Sequence, residues 1–280
     1  TTMLLPVLLL FAALPILPQD AREPVQIASE GFSISLATGG EVSGAVWRLN
    51  PSPYGQIDEI YLSVSDGRGL TWSAPEIVDE APSRVEVGVP RVAVLEELVL
   101  VAWYDRRYGA YTPFLRIYDG ATGTLGPEVE VPTGSPTNLA RVIGLALDAE
   151  RVGRERRVHV ALVLHVEGLG GQPAHDELRL VTSTDAGTSF LPALVLPLPS
   201  PLLPTYQAPL AVQAEAGVVH LLWLDPRAGD PQVFYQRSSD GSLTFDFPVD
   251  QQLTSLPYVS SFRCDALGQT LAFATWQALA

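Results

Sequence analysis

Three short stretches of this chain repeat one order of residues: STDAGTSF at 183–190, SSDGSLTF at 238–245 and SDGRGLTW at 65–72. Each is a cluster of small turn-forming residues that closes on an aromatic ring. A degenerate fourth copy, YDGATGTL, carries Asp119. The turn aspartates Asp66, Asp119, Asp185 and Asp240 stand 53, 66 and 55 residues apart. A repeat of that period marks stacked supersecondary units, each unable to bury its apolar faces alone. A second landmark keeps step with the first. Trp47, Trp103 and Trp223 precede their turns by 19, 16 and 17 residues, and Leu164 takes the related place in the third unit.

Between the landmarks the chain alternates apolar and polar residues or runs continuously apolar, as in LVLVAW, VHVALVL and VVHLLW, and reads as strand. Only 138–151 carries a candidate helical period. Each unit divides into strand A (89–95, 140–148, 208–214), strand B ending near the Trp, strand C (58–64, 113–118, 177–182, 232–237) and strand D (73–78, 127–131, 191–196, 246–253). Four antiparallel strands repeated radially predict an all-β propeller. The expected blades are 32–83, 84–134, 135–200 and 201–254, with a partial blade at 255–280, inside a propeller domain of 25–280. Four and a half blades leave the ring open. Either residues 25–45 supply strands to the last blade, or the sequence is a fragment, and the fragment is favoured.

The net charge of −14 repels nucleic-acid phosphates, and no basic run exceeds Arg154 to Arg157, so nucleic acid is excluded as a partner. All 17 basic residues are Arg, read first as codon bias in a GC-rich genome. Cys264 stands alone and four His are scattered, a pattern with no zinc spacing, so no metal and no cofactor is expected. Residues 1–24 contain MLLPVLLLFAALPILP, too short and too proline-rich for a stable span. They are read as a secretory signal or a retained anchor, which makes the chain exported or envelope-bound. A membrane is a partner only through that segment.

The turn motif resembles the Asp-box, or bacterial neuraminidase repeat, of the sialidase-like propellers: Ser-x-Asp-x-Gly-x-Thr-aromatic. Ser183, Asp185, Gly187 and Phe190 match it, with Ser189 for Thr; Ser238, Asp240, Thr244 and Phe245 match it, with Ser242 for Gly. Ser65, Asp66, Thr71 and Trp72 match less regularly, with an extra residue between Asp66 and Thr71. Asp and Ser side chains bond the amides of their own turn, so the box is a fold device. The resemblance implies that the boxes lie opposite the functional face.

Function is therefore sought on the other rim, at 48–58, 105–111, 165–176 and 225–230. Trp-x-Asp-x-Arg occurs there twice, as Trp103, Asp105, Arg107 and Trp223, Asp225, Arg227. It is a ligand-contacting rim or, as its repetition favours, a pair that fixes each loop. Sialidase-like chemistry needs several Arg on a substrate carboxylate, and Arg91, Arg141 and Arg263 near the starts of A strands are the candidates. The family's Phe-Arg-Ile-Pro signature is missing, Arg116 to Tyr118 being its nearest echo, and neither Tyr206 nor Tyr258 can be paired with a Glu as nucleophile. His159 and His220 hold equivalent places in strand B and are read as structural. No catalytic residue is assigned. The first expectation is a glycan- or protein-binding module acting on the face opposite the boxes. The alternatives are a sialidase-like exo-glycoside hydrolase acting on sialylated or related acidic glycans, and an envelope adhesion or structural repeat protein.

Overall fold

A computed structural model describes residues 27, 31–40, 42–49, 59–66, 69–80, 87–134, 140–168, 173–198, 209–227, 229–255, 259–267 and 270–277. The apolar leader and most of the loop at 48–58 lie outside them. Blade 1 contains β1 (Phe32–Gly39), β2 (Val42–Leu49), β3 (Glu59–Ser65) and β4 (Glu76–Ile77). Blade 2 contains β5 (Arg91–Leu95), β6 (Leu98–Asp105), β7 (Thr112–Asp119), β8 (Thr124–Leu125) and β9 (Val129–Glu130). Blade 3 contains β10 (Ala140–Val152), β11 (Glu155–Val166), β12 (His175–Ser183) and β13 (Leu194–Pro197). Blade 4 contains β14 (Leu210–Glu215), β15 (Val218–Asp225), β16 (Gln232–Ser238) and β17 (Gln251–Gln252). β18 (Val259–Leu267) and β19 (Thr270–Gln277) form a fifth, two-stranded sheet. Within each sheet the strands are antiparallel and follow chain order, except that β9 pairs with β7 beside β8. The innermost strands are neighbours in the series β1, β5, β10, β14, β18, so the sheets stand as successive blades of a propeller arc.

Stacking explains the composition of the strands. A blade is covered on both faces by its neighbours, so β6 and β15 are buried at every position, and sequence alternation gives way to continuous apolar runs. One core lies between blades 2 and 3, another between blades 3 and 4, and a third between blades 1 and 2. Tight approach selects small residues: a Cβ on Gly44 would stand 2.5 Å from Val99 Cγ1, across the first interface.

Several expectations change. Of the candidate helix at 138–151, the described residues 140–151 lie in strand β10, not helix, because both faces of that segment meet apolar neighbours. Residues 32–39 form the inner strand of blade 1 and do not complete the last blade. The outer strands are only two to four residues long, where five to eight were expected. A short outer edge offers few unpaired amides to a passing strand. The register also moves one landmark. Trp47, Trp103 and Trp223 pair with Tyr61, Phe114 and Phe234, and the residue at that level in blade 3 is Leu162, opposite Arg179, not Leu164.

The repeated turns occupy the hairpins after strand C. Ser183 Oγ accepts the Gly187 amide (2.8 Å) and Ser238 Oγ accepts the Ser242 amide (3.0 Å). Asp185 accepts the amide and hydroxyl of Ser189 (2.8 and 2.6 Å), and Asp240 those of Thr244 (3.0 and 2.6 Å). Burial opposes ionisation at Asp240, but the bonds from Thr244, Ser238 and Leu243 win and hold its carboxyl at about 2. Consecutive left-handed residues make the turn, Ala186 and Gly187 in one copy, Gly241 and Ser242 in the other. Phe190 packs into the core between blades 2 and 3, Phe245 into that between blades 3 and 4.

Candidate functional site

Antiparallel strands put the hairpins that carry the boxes at one end of every blade and the B-to-C and D-to-A connections at the other. The two Trp-x-Asp-x-Arg elements lie at that second end and have one geometry. Arg107 binds Asp105 (2.6 Å) and Glu128 while its guanidinium lies 4.0 Å from the centroid of Phe114. Arg227 binds Asp225 and Asp250 (2.6 Å to Asp250) and lies 4.2 Å from the centroid of Phe234. Asp105 and Asp225 are fully buried and also accept the Arg107 and Arg227 amides at 3.0 and 2.8 Å. Although burial opposes the charge, Asp105 and Glu128 raise the Arg107 pKa above its ordinary value. Each arginine thus closes the start of its loop onto the residue that precedes the outer strand of its own blade.

The three arginines proposed from strand A do not share one level. Arg91 pairs with Ala102, one residue before Trp103, and Arg263 with Ala274, two residues before Trp276. Arg141 pairs with His165, three residues beyond Leu162, the residue at the tryptophan level. Arg141 therefore stands about four strand positions nearer the rim than Arg91, roughly 13 Å along the strand. Arg91 and Arg141 lie on adjacent inner strands, with β14 between β10 and β18. Arg141 is exposed, and Arg91 is half-buried and donates to the Pro90 carbonyl (3.2 Å).

At the rim of blade 3, sequence reasoning bounded a loop by His165 and Asp176 but missed that the two meet. They pair across β11 and β12, and His165 Nδ1 lies 2.7 Å from Asp176 Oδ1. Asp176 is buried, and the imidazole is one-fifth exposed, with Nε2 3.8 Å from Glu167 Oε1. Directly paired strand residues share a face, so Arg141, His165 and Asp176 form one row across three strands. A buried carboxylate on Nδ1 orients the ring and leaves Nε2 outward, an arrangement able to accept or donate a proton. No motif advertised this row, because its members come from three separate strands.

Other titratable groups serve the fold. Asp79, raised to about 6 by burial, accepts the Ile60 amide (2.9 Å), and Thr254 accepts the equivalent Val233 amide in blade 4 (3.0 Å). His159 is wholly buried between Thr182 and Glu150 (3.0 and 3.4 Å), and burial lowers its pKa. The equivalent His220 bonds the Tyr235 hydroxyl (2.8 Å). Arg116 ties β7 to the Val78 carbonyl of blade 1 (2.7 Å). Cys264 is partly buried against the last apolar cluster. Tyr206 and Tyr258 lie outside the described residues. Among the described residues no group of three His, Cys, Asp or Glu could hold a metal ion, and no helix is long and apolar enough to cross a membrane.

Comparison with solved structures places the fold. The chain resembles Trypanosoma rangeli sialidase in complex with sialic acid (TM-score 0.53, 13% identity, covering 87% of this chain and 42% of that one). It resembles the NanB sialidase from Streptococcus pneumoniae (TM-score 0.55, 11% identity, covering 87% and 55%). It also resembles Penicillium chrysogenum α-L-arabinanase complexed with arabinobiose (TM-score 0.52, 14% identity, covering 79% and 63%). This chain has the all-β propeller fold seen in those sialidases and that arabinanase. It spans about two fifths to three fifths of the length of those proteins. No family model and no curated protein matches it.

Proposed function

We propose that the chain is an exported glycan-binding propeller that takes an acidic sugar at the rim opposite the box hairpins, on blade 3. The observation that carries this reading is the row Arg141, His165, Asp176, in which an exposed guanidinium stands beside an imidazole oriented by a buried carboxylate. Arg141 supplies the charge-assisted contact that a sugar carboxylate needs. His165 supplies a donor or acceptor at Nε2. Asp105, Arg107, Asp225 and Arg227 shape the neighbouring loops, because their charges are already met within their own blades. Arg91 stands lower on its inner strand, where a longer ligand could reach it. Several structural neighbours carry sugars, which supports a glycan over a protein ligand. Export rests on the apolar segment before residue 19.

The second reading is a sialidase-like exo-glycosidase, favoured by the fold of the sialidase neighbours. Against it stands the height difference between Arg141 and Arg91, since one carboxylate must reach all the arginines of a cluster. A glycan panel screened with the parent chain and with Arg141→Ala, alongside a fluorogenic sialoside, decides between them. Retention of acidic glycans that is lost in the variant, without turnover, supports binding. Turnover supports the enzyme, and retention unchanged in Arg141→Ala removes the rim site.

A further inference from the structure

The first box differs from the other two in a way that frees its carboxylate. Ser65 Oγ accepts the amide of Gly69, four residues on, at 2.9 Å, as Ser183 and Ser238 accept those of Gly187 and Ser242. The three serines are therefore equivalent, and each lies seven residues before its aromatic residue. The loop is not lengthened. Instead Asp66 stands one place early, and Gly67 takes the position that Asp185 and Asp240 hold. Asp185 and Asp240 are saturated by amides and hydroxyls of their own turns. Asp66 accepts, among the described residues, one long bond from the Thr71 hydroxyl at 3.3 Å.

That carboxylate lines a cavity of about 350 Å³ between the hairpins of blades 1 and 2. Trp72 and Tyr118 contribute aromatic walls, and Val42 and Val64 aliphatic ones. Unlike Phe190 and Phe245, Trp72 belongs to none of the buried interblade clusters. Its indole NH donates to the Gly69 carbonyl (3.2 Å), which fixes the ring. Of the lining hydroxyls, Thr71 donates to Asp66 and Ser73 accepts the Val64 amide (3.0 Å), which leaves that of Tyr118 open among the described residues. A sugar, with a hydroxyl on nearly every carbon, would find few open partners. A cation whose surface is methyl needs only ring faces, aliphatic walls and one carboxylate. The chain's net charge of −14 adds a favourable long-range field for such a cation.

We infer that this cavity is a second ligand site, on the box face, that binds the quaternary ammonium group of a small molecule. Asp66 neutralises the charge, Trp72 and Tyr118 present their rings, and Val42 and Val64 meet the methyl groups. The site is independent of the rim site and stands or falls separately from it.

Isothermal titration of the full chain with choline, and with ethanolamine as the unmethylated counterpart, tests the inference. Choline is expected to bind and ethanolamine to bind about tenfold more weakly. Asp66→Asn and Trp72→Ala are each expected to weaken choline by about tenfold or more. Because Trp72→Ala could loosen the hairpin, a second variant moves the carboxylate without deleting it. Asp66→Gly combined with Gly67→Asp restores the spacing of the other boxes, and is expected to keep or raise the melting temperature while abolishing choline binding. Equal binding of choline and ethanolamine, no heat with choline, or unchanged binding in the double variant would overturn the assignment. Phosphatidylcholine vesicles distinguish the source: co-sedimentation that free choline competes away identifies a lipid headgroup, and binding of choline alone identifies a soluble ligand.

Discussion

Asp148 offers a direct test of how the blades are joined. It lies on β10, where its Oδ2 accepts the Ala214 amide of β14 at 2.7 Å, so a carboxylate bridges the inner strands of blades 3 and 4. Burial raises its pKa from 3.8 to about 6 against the opposing bonds from the Ala214 and Ala149 amides, with smaller upward contributions from the charges of Glu150 and Asp265. The folded protein therefore holds this proton more tightly than the unfolded chain. The contribution to stability is fully present below about pH 4 and is lost as pH rises through about 6. A rise from 3.8 to about 6 corresponds to about 3 kcal/mol at neutral pH, reduced to about 1–2 kcal/mol because the side chain is not wholly buried. Asp148→Asn keeps an oxygen for the Ala214 amide and removes the charge. The variant is expected to melt several degrees higher than the parent at about pH 8, with the difference vanishing at about pH 4. Thermal unfolding followed by circular dichroism across that range reads both. A variant that melts lower at high pH, or a difference independent of pH, would refute the reasoning, since a charge cost must disappear when the parent is protonated.

Three further outcomes follow from particular residues. Arg107→Ala leaves buried Asp105 and Glu128 uncompensated and is expected to cost about 3–5 kcal/mol in chemical denaturation, with Arg107→Lys recovering little because the stacked, forked geometry is lost. Ser238→Ala strips the acceptor from the Ser242 amide and is expected to cost about 1–3 kcal/mol, read as a lower urea midpoint. Gly187→Ala places a Cβ 2.5 Å from Leu115 Cδ2 at a φ of +86°, so a loss of about 2–3 kcal/mol and looser packing between blades 2 and 3 are expected, measurable as faster amide exchange in β7.

The sequence by itself determined the all-β class, the blade period and the end at which the box hairpins lie. Those properties come from local chemistry. A Ser and an Asp that bond amides four residues on make the same turn wherever they occur, and a strand covered on both faces must be continuously apolar. Even the displaced carboxylate of the first box was legible, once Ser65 rather than Asp66 anchored the alignment. The lengths of the outer strands were not, because an exposed edge keeps apolar residues such as Ile77 and Val195 without pairing more of the segment. Tertiary structure alone decided which charges meet. Arg91 and Arg141 look alike in sequence, yet the ladder sets them about 13 Å apart in height. His165 and Asp176 are separated by a loop and meet only because β11 and β12 pair in that register. The cavity beside Asp66 needs hairpins from two blades whose contact no local pattern encodes. Turns and strands are fixed by neighbours along the chain, whereas sites here are made between strands and between blades, by registers that burial sets.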